Sequence, residues 1–175
     1  MRRSGAESPV RGALRAESPL RPLVCDGMGA VEKAHHAYFD PAIRAHFADS
    51  LDIDAGLKKG HDQENRWDYL LGHAPSGQVV AVEPHSARQD EVTTIIKKRA
   101  AARAQLRGHL RDGVKIAKWL WVASGDVQFA AVERAKLMLD QNGIEFVGKR
   151  VMAKHLPAEP TPVKRTGKKG QKRRT

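Results

Sequence analysis

Two short runs of apolar, β-branched and aromatic residues, 66–72 and 78–85, lie on either side of a segment rich in turn-forming residues. Runs of this composition on either side of a short polar link are typical of a β-hairpin. With Pro75 and Ser76 as the two central turn residues, the register of every cross-strand pair is fixed. The pattern therefore predicts an antiparallel hairpin with a defined set of opposed side chains.

This register sets two acidic residues against each other. Asp68 falls directly opposite Glu83, and His85, two positions later, points to the same face. Two carboxylates on a covered face repel each other and are costly to desolvate, so they need a cation or shared protons. Metal binding, proton sharing and simple solvated edge charges all remain open at this point. We place Leu70, Val79 and Ala81 on the acidic face, and Trp67, Tyr69, Leu71, Val80 and Val82 on the other.

Periodicity elsewhere predicts helices and strands around the hairpin. Their order is helix, hairpin, helix, strand, helix, strand. Crossover helices between strands imply that some strands run parallel, so the predicted fold class is α/β. The predicted elements are a helix or helix pair over 30–47 with a break at Pro41, a loop or short irregular strand over 51–65, a long helix over 90–111, a strand over 115–123, a helix over 127–141 and a strand over 144–151.

Basic residues are concentrated towards the two ends of a chain whose net charge is +11. We predict a disordered basic N-terminal segment over 1–27, an α/β domain over 28–156 and a disordered basic tail over 157–175. Such a tail either binds phosphates without sequence preference or only aids solubility. Translation from Met28 instead of Met1 is an open alternative.

The chain contains one cysteine, Cys25, which excludes an intramolecular disulfide framework and fits a reducing cytoplasm. No apolar run has the length needed to cross a membrane, and the start lacks the apolar region of a secretory signal. We therefore expect a cytoplasmic protein without a membrane partner.

The long predicted helix carries basic residues at about four-residue spacing, which drifts by only about 40° per step around a helix. Such a stripe fits a phosphate backbone, and it also fits an ordinary solvated helix face. The candidate nucleic-acid-binding residues are Lys98, Arg99, Arg103, Arg107 and Arg111.

The order of these features resembles that of the restriction-endonuclease-like superfamily, the PD-(D/E)xK nucleases. In both, one hairpin strand carries an acid, and the next strand carries a second acid two positions before a basic residue. A long helix and a further strand follow. Asp68 matches the first acid and Glu83 the second, while His85 stands where the family has lysine. In some members the lysine comes from the following helix, where this chain has Lys97 and Lys98. No proline precedes Asp68.

The sequence departs from the family pattern within the second strand. Pro84 cannot donate to a strand ladder and usually marks a strand end or edge. His85 therefore either stays on the face of Glu83 or swings away from the hairpin.

The resemblance implies a restriction-endonuclease-like mixed sheet and a metal-dependent nuclease acting on DNA phosphodiesters. In that reading Asp68 and Glu83 bind Mg²⁺ or Mn²⁺, and His85 or Lys97 orients or deprotonates the attacking water. Two alternatives stay open: a catalytically inactive nucleic-acid-binding module of the same fold, and a scaffold that binds another protein.

Overall fold

The computed structural model describes residues 6–60, 64–127 and 133–161. They form an α/β fold with a six-stranded open mixed sheet flanked by helices, which confirms the predicted fold class. The strands are β1 Cys25–Asp26, β2 Phe47–Asp52, β3 Tyr69–His73, β4 Gln78–Ala87, β5 Lys118–Val127 and β6 Ile144–Phe146. The α-helices are α1 Pro9–Ala13, α2 Pro41–Arg44, α3 Ile53–Leu57, α4 Glu91–Leu106 and α5 Glu133–Gln141, and 3₁₀ turns lie at Arg21–Leu23, Lys33–Tyr38 and Ala153–His155.

The strands lie side by side in chain order. Neighbours from β1 to β4 are antiparallel, whereas β5 runs parallel to β4 and β6 runs parallel to β5. A parallel pair needs a crossover connection, and α4 lies in the first such connection and α5 in the second. The order hairpin, helix, strand, helix, strand predicted from the sequence is therefore present.

The hairpin has the predicted register. Tyr69 pairs with Val82 at one end of the ladder, and His73 pairs with Gln78 beside the turn. Gly77 has a positive φ of 69° and donates its N–H to the His73 carbonyl at 2.8 Å, so the turn uses a conformation that glycine adopts without strain. Continuing this register by one pair sets Asp68 against Glu83.

Both faces of the sheet are covered by apolar side chains. One core contains Leu70, Val79 and Ala81 together with residues of α1, α3 and α4, and the other contains Tyr69, Leu71, Val80, Val82 and Val122 with residues of the 28–47 and 151–156 segments. Trp67 is the exception to the predicted faces, since it packs in the same core as Leu70. Pairing between β3 and β4 begins at Tyr69, so strand alternation does not extend back to Trp67.

Helix α4 is shorter than the predicted helix over 90–111. It ends at Leu106, and Gly108, a poor helix former, follows in a turn. Leu110 then makes an antiparallel bridge with Leu14, and the Arg111 N–H donates to the Ala13 carbonyl at 2.9 Å. The last residues of the predicted helix therefore form contacts with the N-terminal segment instead of continuing the helix.

That N-terminal segment differs from the disordered segment predicted over 1–27. In its described part Val10, Leu14 and Leu20 are buried in the core. The buried carboxylate of Asp49 accepts the backbone N–H of Val10 at 3.1 Å and that of Arg11 at 3.0 Å. A few apolar side chains between basic and proline residues are therefore enough to tie the segment down.

The remaining differences concern element boundaries. The predicted helical region 30–47 is a 3₁₀ turn followed by α2 and the start of β2, and the predicted loop 51–65 contains the end of β2 and α3. Strand β5 runs beyond the predicted end at residue 123, and β6 ends at Phe146, before Val151. Residues 158–161 of the predicted tail are exposed, and residues 162–175 lie outside the described ranges. Residues 128–132 of the helix predicted over 127–141 also lie outside them.

Candidate functional site

Four of the predicted site residues come together beside β4, and we call Asp68, Glu83, His85 and Lys98 the carboxylate cluster. Glu83 lies on the α4 side of the sheet, and its side chain is only 1% exposed. Its Oε2 accepts the backbone N–H of Asp68 at 2.8 Å. The predicted hairpin therefore brings the two acids together, with Asp68 at the point where the chain enters β3.

Lys98 reaches the same carboxylate from α4. Its Nζ forms an ion pair with Glu83 Oε1, and the lysine side chain is 15% exposed. Lys97, which we predicted in the catalytic set, is exposed to solvent. The reason lies in the helix, because Lys98 is three residues after Ile95 and four before Ala102, both fully buried, and so shares their inward face.

His85 stays with the cluster, on the side of Glu83, so of the two alternatives it does not swing away. The Ala117 N–H donates to the Val79 carbonyl at 2.8 Å, so the odd-numbered positions of β4 turn their backbone polar groups towards β5. Pro84 consequently turns towards the β3 side, where pairing has already ended at Tyr69. No ladder hydrogen bond is lost there, and β4 continues through Pro84 to Ala87.

A second acid, Glu91 at the start of α4, holds His85 in place. His85 Nε2 lies 2.9 Å from Glu91 Oε2, and His85 Nδ1 lies 3.7 Å from Glu83 Oε1. Glu83 and then Glu91 raise the pKa of His85 against the opposing effects of burial and Lys98. His85, with Arg88, lowers the pKa of Glu91 to about 2. The imidazole is therefore held between two carboxylates in an arrangement that favours its protonated form.

Asp68 is the acid with the most perturbed titration. Burial, followed by repulsion from Glu83, raises the pKa of Asp68 to about 7, while the charge of Lys98 opposes this shift. Asp54 and Asp52 add smaller repulsions. A carboxyl group that is about half ionised at neutral pH is suited to accept and release a proton, or to gain a cation as it ionises.

Two carboxylates on neighbouring strands are a set of donors that suits Mg²⁺. This ion is usually bound through one or two carboxylates, with waters and substrate phosphates completing its shell. Both oxygens of Glu83 already have partners within the protein, in Lys98 and the Asp68 N–H. Across the described part of the chain, no group of three or more His, Cys, Asp or Glu side chains is arranged to hold a metal ion. The cluster fits a cation that is shared with substrate better than one bound by protein alone.

The predicted basic stripe divides into two parts. Lys98 turns to the carboxylate cluster, whereas Arg99, Arg103, Arg107 and Arg111 line one cavity of about 410 Å³ at the C-terminal half of α4. We call this the arginine cavity. Although α4 ends before Arg107, the turn that follows keeps the last two arginines beside the first two.

Two participating residues were not predicted. Glu91 binds His85, and Lys115 lines the arginine cavity. The sequence does contain a signal for Glu91, since it lies seven residues, or about two helical turns, before Lys98 and on the same face. Lys115 is brought in by the turn after α4, for which the helix predicted over 90–111 left no place.

Comparison with protein-family models, with curated proteins and with solved structures gives no match. Among the described helices none has the length and apolar character to span a membrane. The functional interpretation therefore rests on the geometry and electrostatics of these two places.

Proposed function

We propose that this protein is a metal-dependent nuclease-like protein of the restriction-endonuclease-like type that acts on DNA phosphodiesters. The observation that carries the proposal is the meeting of Asp68 and Lys98 at the buried carboxylate of Glu83. Two acids and a lysine are the residue types of the superfamily motif. Here the lysine comes from the helix after the hairpin, as it does in some members.

Each member of the cluster has a role in this proposal. Asp68 and Glu83 would hold Mg²⁺ or Mn²⁺, which when bound supplies an activated water and neutralises charge on the phosphate. Asp68, with its pKa near 7, passes readily to the ionised form that a cation prefers. Lys98 offers a positive charge to a phosphate oxygen, and His85, fixed by Glu91, is available to orient a water or donate a proton.

The test is cleavage by the purified full chain of single- and double-stranded DNA, with Mg²⁺, with Mn²⁺ or with EDTA. Asp68→Asn and Glu83→Gln keep the side-chain shapes and remove the charges, so we expect each to lower the cleavage rate by about 100-fold or more. Lys98→Met should lower it similarly. Lys97→Met is the matched control, because this exposed neighbour lies off the inward face and should leave the rate unchanged.

The same experiment defines failure. Cleavage that persists in Asp68→Asn and Glu83→Gln, or that does not require a divalent cation, would show that the carboxylate cluster is not a metal-dependent active site. Circular dichroism and thermal unfolding of each variant separate loss of chemistry from loss of fold.

One observation favours the second candidate, a catalytically inactive nucleic-acid-binding module. Lys98 and the Asp68 N–H already satisfy both oxygens of Glu83, so the pair is electrostatically balanced without a cation. Wild-type protein that binds DNA without cutting it under any of these conditions would support this candidate. Protein that neither binds nor cuts would remove both.

A further inference from the structure

The arginine cavity has an unusual excess of positive charge. Five of its lining residues are cationic, Arg99, Arg103, Arg107, Arg111 and Lys115, and one is acidic, Asp112. The Asp112 carboxylate lies 2.8 Å from the guanidinium of Arg15, which already compensates its charge. The cavity therefore contains much more positive than negative charge.

Most of these cations have no internal counter-charge. Within the described ranges, neither Arg103, Arg107 nor Lys115 forms an ion pair or a side-chain hydrogen bond. Arg111 has partners, since its Nε donates to the Leu14 carbonyl at 3.0 Å and its guanidinium lies 3.7 Å from the Glu7 carboxylate. The uncompensated charge of the cavity thus belongs to Arg103, Arg107 and Lys115.

Arg99 is the most deeply placed of the arginines. Its guanidinium carbon lies 5.4 Å from the centre of the Trp119 ring, and its Nε is buried with no hydrogen-bond partner in the part of the chain that the structure describes. Burial and then the neighbouring charge of Arg103 lower the pKa of Arg99. A buried donor without a partner and like charges one helical turn apart are both unfavourable, and an anion placed between them would relieve both.

Apolar side chains also line the cavity, and we call them its apolar floor: Leu106, Leu110, Val114, Ile116 and Trp119. Its volume of about 410 Å³ lies within the range of about 300–1,000 Å³ that small-molecule sites occupy. Planar guanidinium groups bind phosphate oxygens through pairs of hydrogen bonds. A phosphate monoester also carries more negative charge than a single carboxylate.

We propose that the arginine cavity is a binding site for a phosphate monoester, carried either by a nucleotide or by the end of a nucleic-acid strand. Arg99, Arg103 and Arg107 supply the donors, and the apolar floor receives the group next to the phosphate. The site is separate from the carboxylate cluster, and its function does not depend on the proposed nuclease activity.

The experiment compares four probes on the full chain: inorganic phosphate, AMP, and one oligonucleotide with either a 5′-phosphate or a 5′-hydroxyl. Calorimetry measures the first two, and fluorescence anisotropy of a 3′-labelled strand measures the others. We expect saturable binding of at least one phosphomonoester, and a 5′-phosphate that tightens oligonucleotide binding by about tenfold or more. Binding of AMP identifies a nucleotide as the source, whereas a phosphate effect confined to the oligonucleotide identifies the strand end.

The double variant Arg103→Gln/Arg107→Gln removes two exposed guanidinium groups and keeps good helix formers, so the fold should be retained. We expect it to lose about 100-fold in affinity for the phosphorylated probe, and Lys33→Gln/Lys97→Gln is the control, because it also removes two exposed positive charges, at residues that do not line the cavity. Equal binding of the 5′-phosphate and 5′-hydroxyl strands, together with no binding of phosphate or AMP, would overturn the proposal. An equal loss in the lysine control and in the arginine variant would also overturn it, because it would show dependence on net charge alone.

Discussion

Replacing Lys98 with methionine should destabilise the fold. The substitution removes the ammonium group that faces Glu83 and keeps an unbranched side chain of similar length at this position of α4. The Glu83 side chain is 1% exposed and Lys98 is 15% exposed, so water screens this pair very little. Loss of Lys98 leaves a buried carboxylate without its counter-charge.

The expected magnitude follows from that geometry. Breaking a buried ion pair by removing one partner costs about 3–5 kcal/mol. We expect the lower end, about 3 kcal/mol, because the Asp68 N–H still donates to Glu83 at 2.8 Å and His85 Nδ1 remains 3.7 Å away. This is a large share of the 5–15 kcal/mol by which domains are usually stable.

Urea unfolding at pH 7 measures the effect. Lys97→Met is the control and should stay within about 0.5 kcal/mol of wild type. Adding Glu83→Gln to Lys98→Met should restore part of the loss. A Lys98→Met variant as stable as Lys97→Met would refute the buried ion pair.

The other predictions concern Asp68 and Gly72. Asp68 should titrate with a pKa of about 7, which carboxyl-carbon NMR can measure. Because this pKa lies above the ordinary value of 3.8, the stability that Asp68 contributes is lost as pH rises through 7. Asp68→Asn should therefore flatten the dependence of the unfolding free energy on pH. Added Mg²⁺ should lower this pKa, and an unchanged titration would argue against Asp68 as a cation ligand. Gly72→Ala should cost about 1–3 kcal/mol in thermal unfolding, because its Cβ would overlap the Asp49 carboxylate and lie 2.9 Å from Pro9. Gly108→Ala, with no atom within 4 Å, should be neutral or stabilising, and equal effects of the two would contradict this packing.

The hairpin could be predicted from the sequence because its information is local. Turn formers set the register, and strand alternation then places Asp68 and Glu83 together. The choice between Lys97 and Lys98 was also contained in the sequence, in the spacing of Lys98 from Ile95 and Ala102. A single basic stripe hides this difference, because it gives Lys97 and Lys98 the same role.

Other parts of the fold depend on distant contacts that no local pattern reveals. The N-terminal segment is held by Asp49, about forty residues away, and the end of α4 is set by a bridge between Leu14 and Leu110. Strand β2 has no β-branched residue, and its pairing with β1 and β3 stabilises it as a strand. Tertiary contacts override weak local preference in each case.

Helix α4 carries two kinds of positive charge, and the difference between them supports treating the two places separately. Lys98 has its counter-charge inside the protein, in Glu83, whereas the next residue, Arg99, lies beside Arg103 and has a buried donor without a partner among the described residues. Removing one partner of a matched buried pair leaves an uncompensated charge and lowers stability, whereas an unmatched charge is retained at a cost in stability that a bound anion would offset. Removal of the Lys98 charge should therefore lower the free energy of unfolding. Removal of the Arg103 charge should weaken phosphate binding and leave the free energy of unfolding nearly unchanged. Basic residues that are adjacent in sequence thus have separable physical roles.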